Sequence, residues 1–390
     1  MKSIISARAA SIPKNVFLAM DLAKATARAS GLEVIDLSIG SSDLAAPPEA
    51  VQELSRAALD PSTMGYGLFQ SSLPFRAAAS TWMNSRFELN LESQHVLSLI
   101  GSQEGLAHLL LALTDPDDTI LAPDPAYPSY FGAFALAGLK PHYLPLELLH
   151  GFLPDFSRIP ENAARAAKLM VLNYPNNPTA GVASLEFWHD ALEFCKNYDI
   201  LLIHDAPYTE MTFGNYIAPS ALQADPKLTR TVELHSFSKT HHMAGLRIGW
   251  AAGNLEMLNA LAQTKGVIDF NQYLGIQRAA IKALESDPAQ VRRDAQTFQD
   301  RRDALMNALR KIGWNAPTPQ ASMYVWTQLP EYSNSFDFCE QLCLQTGLAL
   351  APGRAFGLQG EGWVRFALVQ PPAKLEEAVK KLEKYLKSIP

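Results

Sequence analysis

The chain has 390 residues, 48% of them hydrophobic and 18% charged, enough to bury a large core in more than one domain. Its 33 basic and 39 acidic side chains leave a formal net charge of −6, and no basic run is interleaved with aromatics, which argues against a nucleic-acid partner. Three cysteines, Cys195, Cys339 and Cys343, make no disulfide framework, and no stretch approaches the roughly 18 apolar residues of a membrane span.

Met1 to Ala10 carries Lys2 and Arg8 but no continuous apolar core with a cleavage site, so no signal peptide is expected and the protein is expected in the cytoplasm. A helical pattern near Val16 to Ala29 falls within residues 1–45, read as an N-terminal arm and part of a small domain. From 46 to 280 strands and helices alternate, the pattern of a large α/β domain. Asp287 to Ile312 reads as a long amphipathic helix opening the C-terminal part, 281–390, which completes the small domain. There Tyr324 to Thr327 and Val364 to Leu368 read as strands, and Leu375 to Leu386 as a final helix.

Four strand ends in the central part carry chemistry. His95 to Ile100 reads as a strand, followed by Gly101-Ser102-Gln103-Glu104-Gly105 and the helical run Leu106 to Leu113. A small-residue turn opening a helix suits a phosphate, and equally a plain N-cap. Leu169 to Asn173 reads as a strand covered on both faces, followed by Tyr174-Pro175-Asn176-Asn177-Pro178-Thr179-Ala180-Gly181, where two prolines fix an amide side chain or simply form a turn. Ile200 to His204 leads to Asp205, with Tyr208 three residues on; a carboxylate there needs a cation or several donors, and a structural ion pair is the plainer reading. Thr231 to Ser236 reads as a strand running into Phe237-Ser238-Lys239-Thr240, with Arg247 eight residues after the lysine. A lysine becomes a nucleophile near neutral pH when burial or a neighbouring cation destabilises its ammonium form; otherwise it is one more solvated cation.

Ligands of open α/β sheets bind outside the carboxyl ends of the strands. Pyridoxal 5′-phosphate needs what these four ends offer together: an anion site for its phosphate, a carboxylate for its ring nitrogen, hydrogen-bond donors for its phenolic oxygen and a lysine for its aldehyde.

The motifs Asn176-Asn177-Pro178-Thr179, Asp205-Ala206-Pro207-Tyr208, Ser236 to Thr240 and Met243 to Trp250 resemble those of the fold-type I pyridoxal-phosphate aminotransferases, class I/II, of the aspartate aminotransferase superfamily, over nearly the whole chain. The resemblance implies an α/β fold, a large domain with a mostly parallel seven-stranded sheet between helices and a smaller α+β domain. It implies that Lys239 carries the cofactor and moves the proton between substrate Cα and cofactor C4′. It implies that Asp205 pairs with the ring nitrogen, Asn177 and Tyr208 bond the phenolic oxygen, Tyr127 stacks on the ring, and Ser102, Gln103, Ser236, Ser238 and Arg247 hold the phosphate. Arg365 falls where the family grips the substrate α-carboxylate, a task suited to arginine's planar fork, and Gly40 where backbone lies against the substrate. Tyr66 matches the tyrosine that reaches the phosphate of a neighbouring subunit, implying a homodimer with shared sites.

Two departures stand out. Ala180 precedes Gly181 where glycine usually follows Asn-Pro-Thr, so the turn is expected to move by one residue. Arg354 replaces a small residue in Pro352 to Gly357 and is expected to be exposed, the alternative being an extra anion contact.

Cys339 and Cys343 stand at i, i+4 without further ligands, His241 and His242 are adjacent and would point apart on a helix, and no metal is implied. The function expected is transfer of an amino group between an L-amino acid and a 2-oxo acid, glutamate and 2-oxoglutarate being one pair. Val267 to Tyr273 lies where relatives place specificity residues; it lacks the arginine of dicarboxylate-specific members and is similar to members acting on diaminopimelate or N-succinyl-diaminopimelate in lysine synthesis. The alternative is β-elimination of cysteine-type substrates at the same site. Ser236-x-x-Lys239 also fits a serine-lysine hydrolase, whose Ser-Asp-Asn and Lys-Thr-Gly partners do not occur here. A cofactor-binding regulatory domain is the non-catalytic alternative, with no room expected for a DNA-binding module before the first family motif.

Overall fold

The most apolar runs of the chain become the inner strands of one sheet. The structure, a computed structural model, describes residues 4–13, 18–67, 72–330 and 334–388. In chain order its strands are β1 (Ile35–Asp36), β2 (Val96–Leu99), β3 (Thr119–Asp124), β4 (Lys140–Pro145), β5 (Ala167–Asn173), β6 (Leu201–Asp205), β7 (Thr231–Ser236), β8 (Gly249–Gly253), β9 (Tyr324–Gln328), β10 (Leu348–Ala349), β11 (Ala351–Pro352) and β12 (Trp363–Ala367). Seven of them form the large sheet in the order β2-β8-β7-β6-β5-β3-β4. Only β8 runs antiparallel to its neighbours; every other pair in the sheet is parallel.

Register aligns the chemistry. Asn173 pairs with Asp205, Ser236 with Gly249, and Leu99 with Gly249, so the ends of β2, β5, β6 and β7 lie along one edge. Alternation of side chains separates the two faces. Leu169, Val171, Ile203, Val232 and Leu234 pack under the helices Ser102–Leu113, Ser129–Ala137 and Leu255–Ile268. Met170, Leu172 and Leu202 pack on the other face against Trp188 and Leu192 of the helix Leu185–Asn197.

A second core joins the two ends of the chain. The helices Leu18–Ala29, Pro288–Lys311, Ser335–Thr346 and Pro372–Leu386 bury Met20, Phe298, Leu305, Phe338 and Leu382 around Val325, Val364 and Phe366. Strand β1 pairs in parallel with β10, and β11, β12 and β9 form a small antiparallel sheet. Cys339 and Cys343 are buried in this core as free thiols. Among the described residues no helix is long and apolar enough to cross a membrane.

The structure departs from the sequence reading in four places. The helix after β2 starts at Ser102, not Leu106, because Gly101, at φ +80°, turns the chain and Glu104 Oε2 accepts from Ile100 N at 2.9 Å, closing the first turn. The residue in the left-handed region after Asn-Pro-Thr is Ala180 itself, at φ +56°, so the turn is not moved onto Gly181. Arg354 is half-buried rather than exposed, since its backbone N–H donates to Ser335 Oγ at 3.0 Å and its segment is tied to the Ser335–Thr346 helix. His241 caps a four-residue helix and His242 lies beyond it at φ +56°, so both fold into the interior instead of diverging along a helix. The expected first helix is seen from Leu18; Val16 lies outside the described residues.

Candidate active site

One cavity of about 670 Å³ opens above the aligned strand ends, and Gly40, Ser102, Gln103, Tyr127, Asn177, Asp205, Tyr208, Ser236, Ser238, Lys239, Arg247 and Arg365 all line it. Tyr66 does not; it is 81% exposed, its ring centroid 5.6 Å from that of Phe270.

At the end of β2, Gly101 leads into the helix Ser102–Leu113, whose first N–H groups have no partners within the helix and whose dipole favours an anion. Glycine suits that position because its φ is +80°; a Cβ there would stand 2.7 Å from Arg247 Nη2, so the guanidinium would have to shift. Arg247, itself at φ +51°, is held by Gln272, whose amide donates to the Arg247 carbonyl. Ser236 Oγ donates to Ser238 Oγ at 2.9 Å and accepts from Ser238 N at 3.2 Å, capping the short helix that carries Lys239. Two serines, an arginine and a helix start therefore converge at one end of the cavity.

Asp205 closes the floor. Its Oδ2 accepts from the Tyr130 hydroxyl at 2.7 Å, whereas Oδ1 is buried without a hydrogen-bond partner. Burial pushes its carboxyl above the usual range, against the pull of the Tyr130 hydrogen bond, of His204 and of the nearby Ser102 hydroxyl, which lies outside good hydrogen-bond geometry. An orphaned carboxylate oxygen in a cavity wall asks for a donor from a ligand. Asn173 fixes the neighbouring backbone, donating from Nδ2 to the Asp205 carbonyl at 2.7 Å and accepting from Asn177 N at 2.8 Å.

Arg365, on β12, donates from Nη1 to Asn177 Oδ1 and from Nη2 to the Ser38 carbonyl, both at 2.8 Å. That leaves the Asn177 amide nitrogen for a ligand. Tyr324, on the facing strand β9, lies diagonally from Arg365 on the same face, its ring centroid 4.1 Å from the guanidinium carbon. Its hydroxyl is 3.1 Å from that of Tyr208. Burial raises Tyr208 well above an ordinary tyrosine, while the cations Lys239 and Arg365 overcome the burial of Tyr324 and bring it below. Lys239 Nζ donates to the Gly40 carbonyl, and any side chain at Gly40 would overlap the Tyr324 ring. Tyr127 donates to Gln103 Oε1 at 3.0 Å.

Tyr324, Tyr130, Asn173, Ser38 and Asp21 are site residues that the sequence reading missed; Asp21 reaches the cavity from the Leu18–Ala29 helix. Only Asn173, as the last residue of a strand, carried a local signal.

The residues present fit pyridoxal phosphate: the Ser102 helix start with Ser236, Ser238 and Arg247 for an anion, an unpartnered Asp205 oxygen and a lysine amine share the cavity. A family model described as aminotransferase class I and II matches residues 33–382. An LL-diaminopimelate aminotransferase of Syntrophobacter fumaroxidans is 40% identical over 374 residues, 96% of either chain, and one of Dehalococcoides mccartyi is 39% identical over 98% of both. A solved probable N-succinyldiaminopimelate aminotransferase from Thermus thermophilus is 44% identical with a TM-score of 0.91, over 95% of this chain and 99% of that one. The chain therefore belongs to the class I and II aminotransferases and is a pyridoxal-phosphate-dependent transaminase of amino-acid metabolism.

Proposed function

We propose that this enzyme transaminates a diaminopimelate-type amino donor with 2-oxoglutarate as acceptor, in the route to lysine. The names of its relatives carry the reading, and the cavity supports it. A diamino substrate brings two carboxylates and a distal ammonium. Arg365 takes the α-carboxylate with its two-pronged fork. Asp21 also lines the cavity, its carboxylate paired with Lys24 Nζ at 2.8 Å.

Bound pyridoxal phosphate supplies an aldehyde for the amino group and a ring that draws electrons away from substrate Cα. The residues of the chain do the rest. The helix start at Ser102, with Ser236, Ser238 and Arg247, holds the phosphate. Asp205 offers its unpartnered Oδ1 to the ring N–H, and the Asn177 amide and Tyr208 hydroxyl donate to the phenolic oxygen. Tyr127 covers the ring face and helps exclude water. Lys239 Nζ would hold the aldehyde and, once free, would move the proton between substrate Cα and cofactor C4′. Gly40 keeps the backbone close enough for its carbonyl to meet that amine.

The reading includes a homodimer with shared sites. Tyr66 stands exposed beside Phe270, with Met64, Val267 and Ile268 also exposed, an apolar patch of the kind an interface covers. It also takes 1–45 with 281–390 as a small domain against the large domain 46–280, a division supported by the shared core of the two chain ends.

The test is a donor panel. The purified enzyme receives LL-diaminopimelate, N-succinyl-LL-diaminopimelate, glutamate, aspartate, alanine or an aromatic amino acid, and visible absorbance reports conversion to the amino form of the cofactor. Conversion by either diaminopimelate donor and by glutamate supports the reading; response to aspartate or aromatics with none to the diaminopimelates overturns it. Release of ammonia and pyruvate from cysteine-type substrates in place of amino transfer would identify β-elimination.

A further inference from the structure

Strand β6 ends in two titratable residues on opposite faces of the sheet. Asp205 faces the cavity, whereas His204 is fully buried on the back, its ring centroid 4.2 Å from that of Trp188. His204 Nε2 lies 2.8 Å from the Tyr174 carbonyl oxygen, and Nδ1 lies 2.8 Å from Glu233 Oε2. A carbonyl only accepts, so Nε2 carries a hydrogen.

The other nitrogen is settled by Glu233. Its Oε2 also accepts from Ala221 N and Ser220 Oγ, each at 2.8 Å, and its Oε1 meets His235 Nε2 at 2.6 Å. The Ala221 backbone N–H can do nothing but donate and the Ser220 hydroxyl donates to the same oxygen, so Glu233 Oε2 already receives two hydrogens, which favours the carboxylate in spite of burial. Burial opposes that ionisation, yet His204 and His235 hold Glu233 far below the usual carboxylate range. An ionised Glu233 only accepts, so Nδ1 carries a hydrogen as well.

We propose that His204, carrying hydrogen on both ring nitrogens, is a positioning residue that keeps Asp205 ionised from the back of the sheet and so keeps the cofactor ring nitrogen protonated. The inference rests on Asp205 being the partner of that nitrogen. The need for it is visible in the site: Asp205 is buried with one oxygen unpartnered, conditions that favour its neutral form, and a neutral carboxyl would not hold a proton on the ring. The charged and titratable groups around His204 are Glu233 and His235 from β7, Asp205 beside it and Tyr174 after β5. Of these, Glu233 is the anion that holds the charge of His204 in place.

Neutron diffraction from the cofactor-loaded enzyme tests the assignment directly. Deuterium on both nitrogens of His204, with none on Glu233 or Asp205, is the expected map. A bare nitrogen on His204, or deuterium on Asp205, overturns the inference while leaving the site reading intact. A cofactor whose ring nitrogen lies away from Asp205 overturns both.

The second arm is His204→Gln, loaded with ¹⁵N-labelled pyridoxal phosphate. Its ring nitrogen is expected to lose its proton about one pH unit lower than in the wild type, the scale of one nearby charge. A folded, loaded variant with an unmoved ring-nitrogen titration contradicts the role, because a merely structural histidine would change stability alone. Should the variant fail to fold, the wild-type map still decides.

Discussion

Tyr324 and Arg365 lie face to face, 4.1 Å from guanidinium carbon to ring centroid, and the Tyr324 hydroxyl reaches on to Tyr208 at 3.1 Å. One residue thus links the arginine assigned to the substrate carboxylate with the tyrosine assigned to the cofactor phenol. Tyr324→Phe keeps the stacked ring and removes the hydroxyl, so KM for the amino donor should hold within about twofold while kcat falls about fivefold, a hydrogen bond of about 1 kcal/mol being lost. Tyr324→Ala should raise KM about tenfold, a cation–π contact being worth about 1–2 kcal/mol when desolvated. Steady-state kinetics of the two variants separates these effects; equal changes in KM would remove Tyr324 from carboxylate binding.

Lys239→Ala should retain binding of pyridoxal phosphate through Asp205 and the phosphate cradle but lose catalysis by about 10² to 10⁴ or more, the range of a positioned general base. Single-turnover absorbance with a donor reads this without need for cofactor regeneration. Turnover at the wild-type rate would exclude the role.

His241 is buried beside His242, and burial above all pushes it down to about 3. The unfolded chain binds a proton there below about pH 6.5 that the folded chain refuses, so the folded state loses stability as pH falls from about 6.5 towards about 3. His241→Leu should flatten that dependence by up to about 1.4 kcal/mol per pH unit. Urea unfolding at several pH values compares the slopes, and parallel wild-type and variant slopes would contradict a buried neutral His241.

Lys265 is 2% exposed, with Nζ 3.0 Å from both Glu104 Oε1 and Asp269 Oδ1. Its removal takes the cation from two partly buried carboxylates, Glu104 keeping only the Ile100 N–H and the His108 ring beside it, next to the helix whose start lines the cavity. Lys265→Met should cost about 3 kcal/mol in chemical unfolding, the scale for breaking a buried pair, and weaken cofactor binding with it. A variant as stable as the wild type would show the network to be solvated.

Ala180 pays for a left-handed conformation that glycine adopts freely. Ala180→Gly should therefore raise stability by about 0.5–1 kcal/mol despite the looser unfolded chain. A loss of stability would mean that its buried methyl matters more than its backbone.

Strand ends were legible because β5, β6 and β7 are buried on both faces and read as apolar runs, each stopping at a polar residue. Lys239, Asp205, Asn177 and Arg247 were legible because each sits in a short motif at such an end, and the cavity brings them together. Tyr130 and Tyr324 were not, since their partners lie 75 and 116 residues away and nothing local marks them. The start of the Ser102 helix was missed for a different reason: its first turn is small and polar, and Gly101 with Glu104 close it where apolar periodicity is silent. Arg354 was misjudged because its backbone is anchored to a helix distant in sequence order from the loop's own composition.

The central claim is that Lys239 carries the cofactor above Asp205. Borohydride treatment of the holoenzyme, followed by peptide mass spectrometry, reads it most directly. A reduced pyridoxyl group on the peptide containing Lys239, and its disappearance when an amino donor is added first, is the predicted result. A modified lysine elsewhere, or no modification of an enzyme loaded with pyridoxal phosphate, would contradict the account.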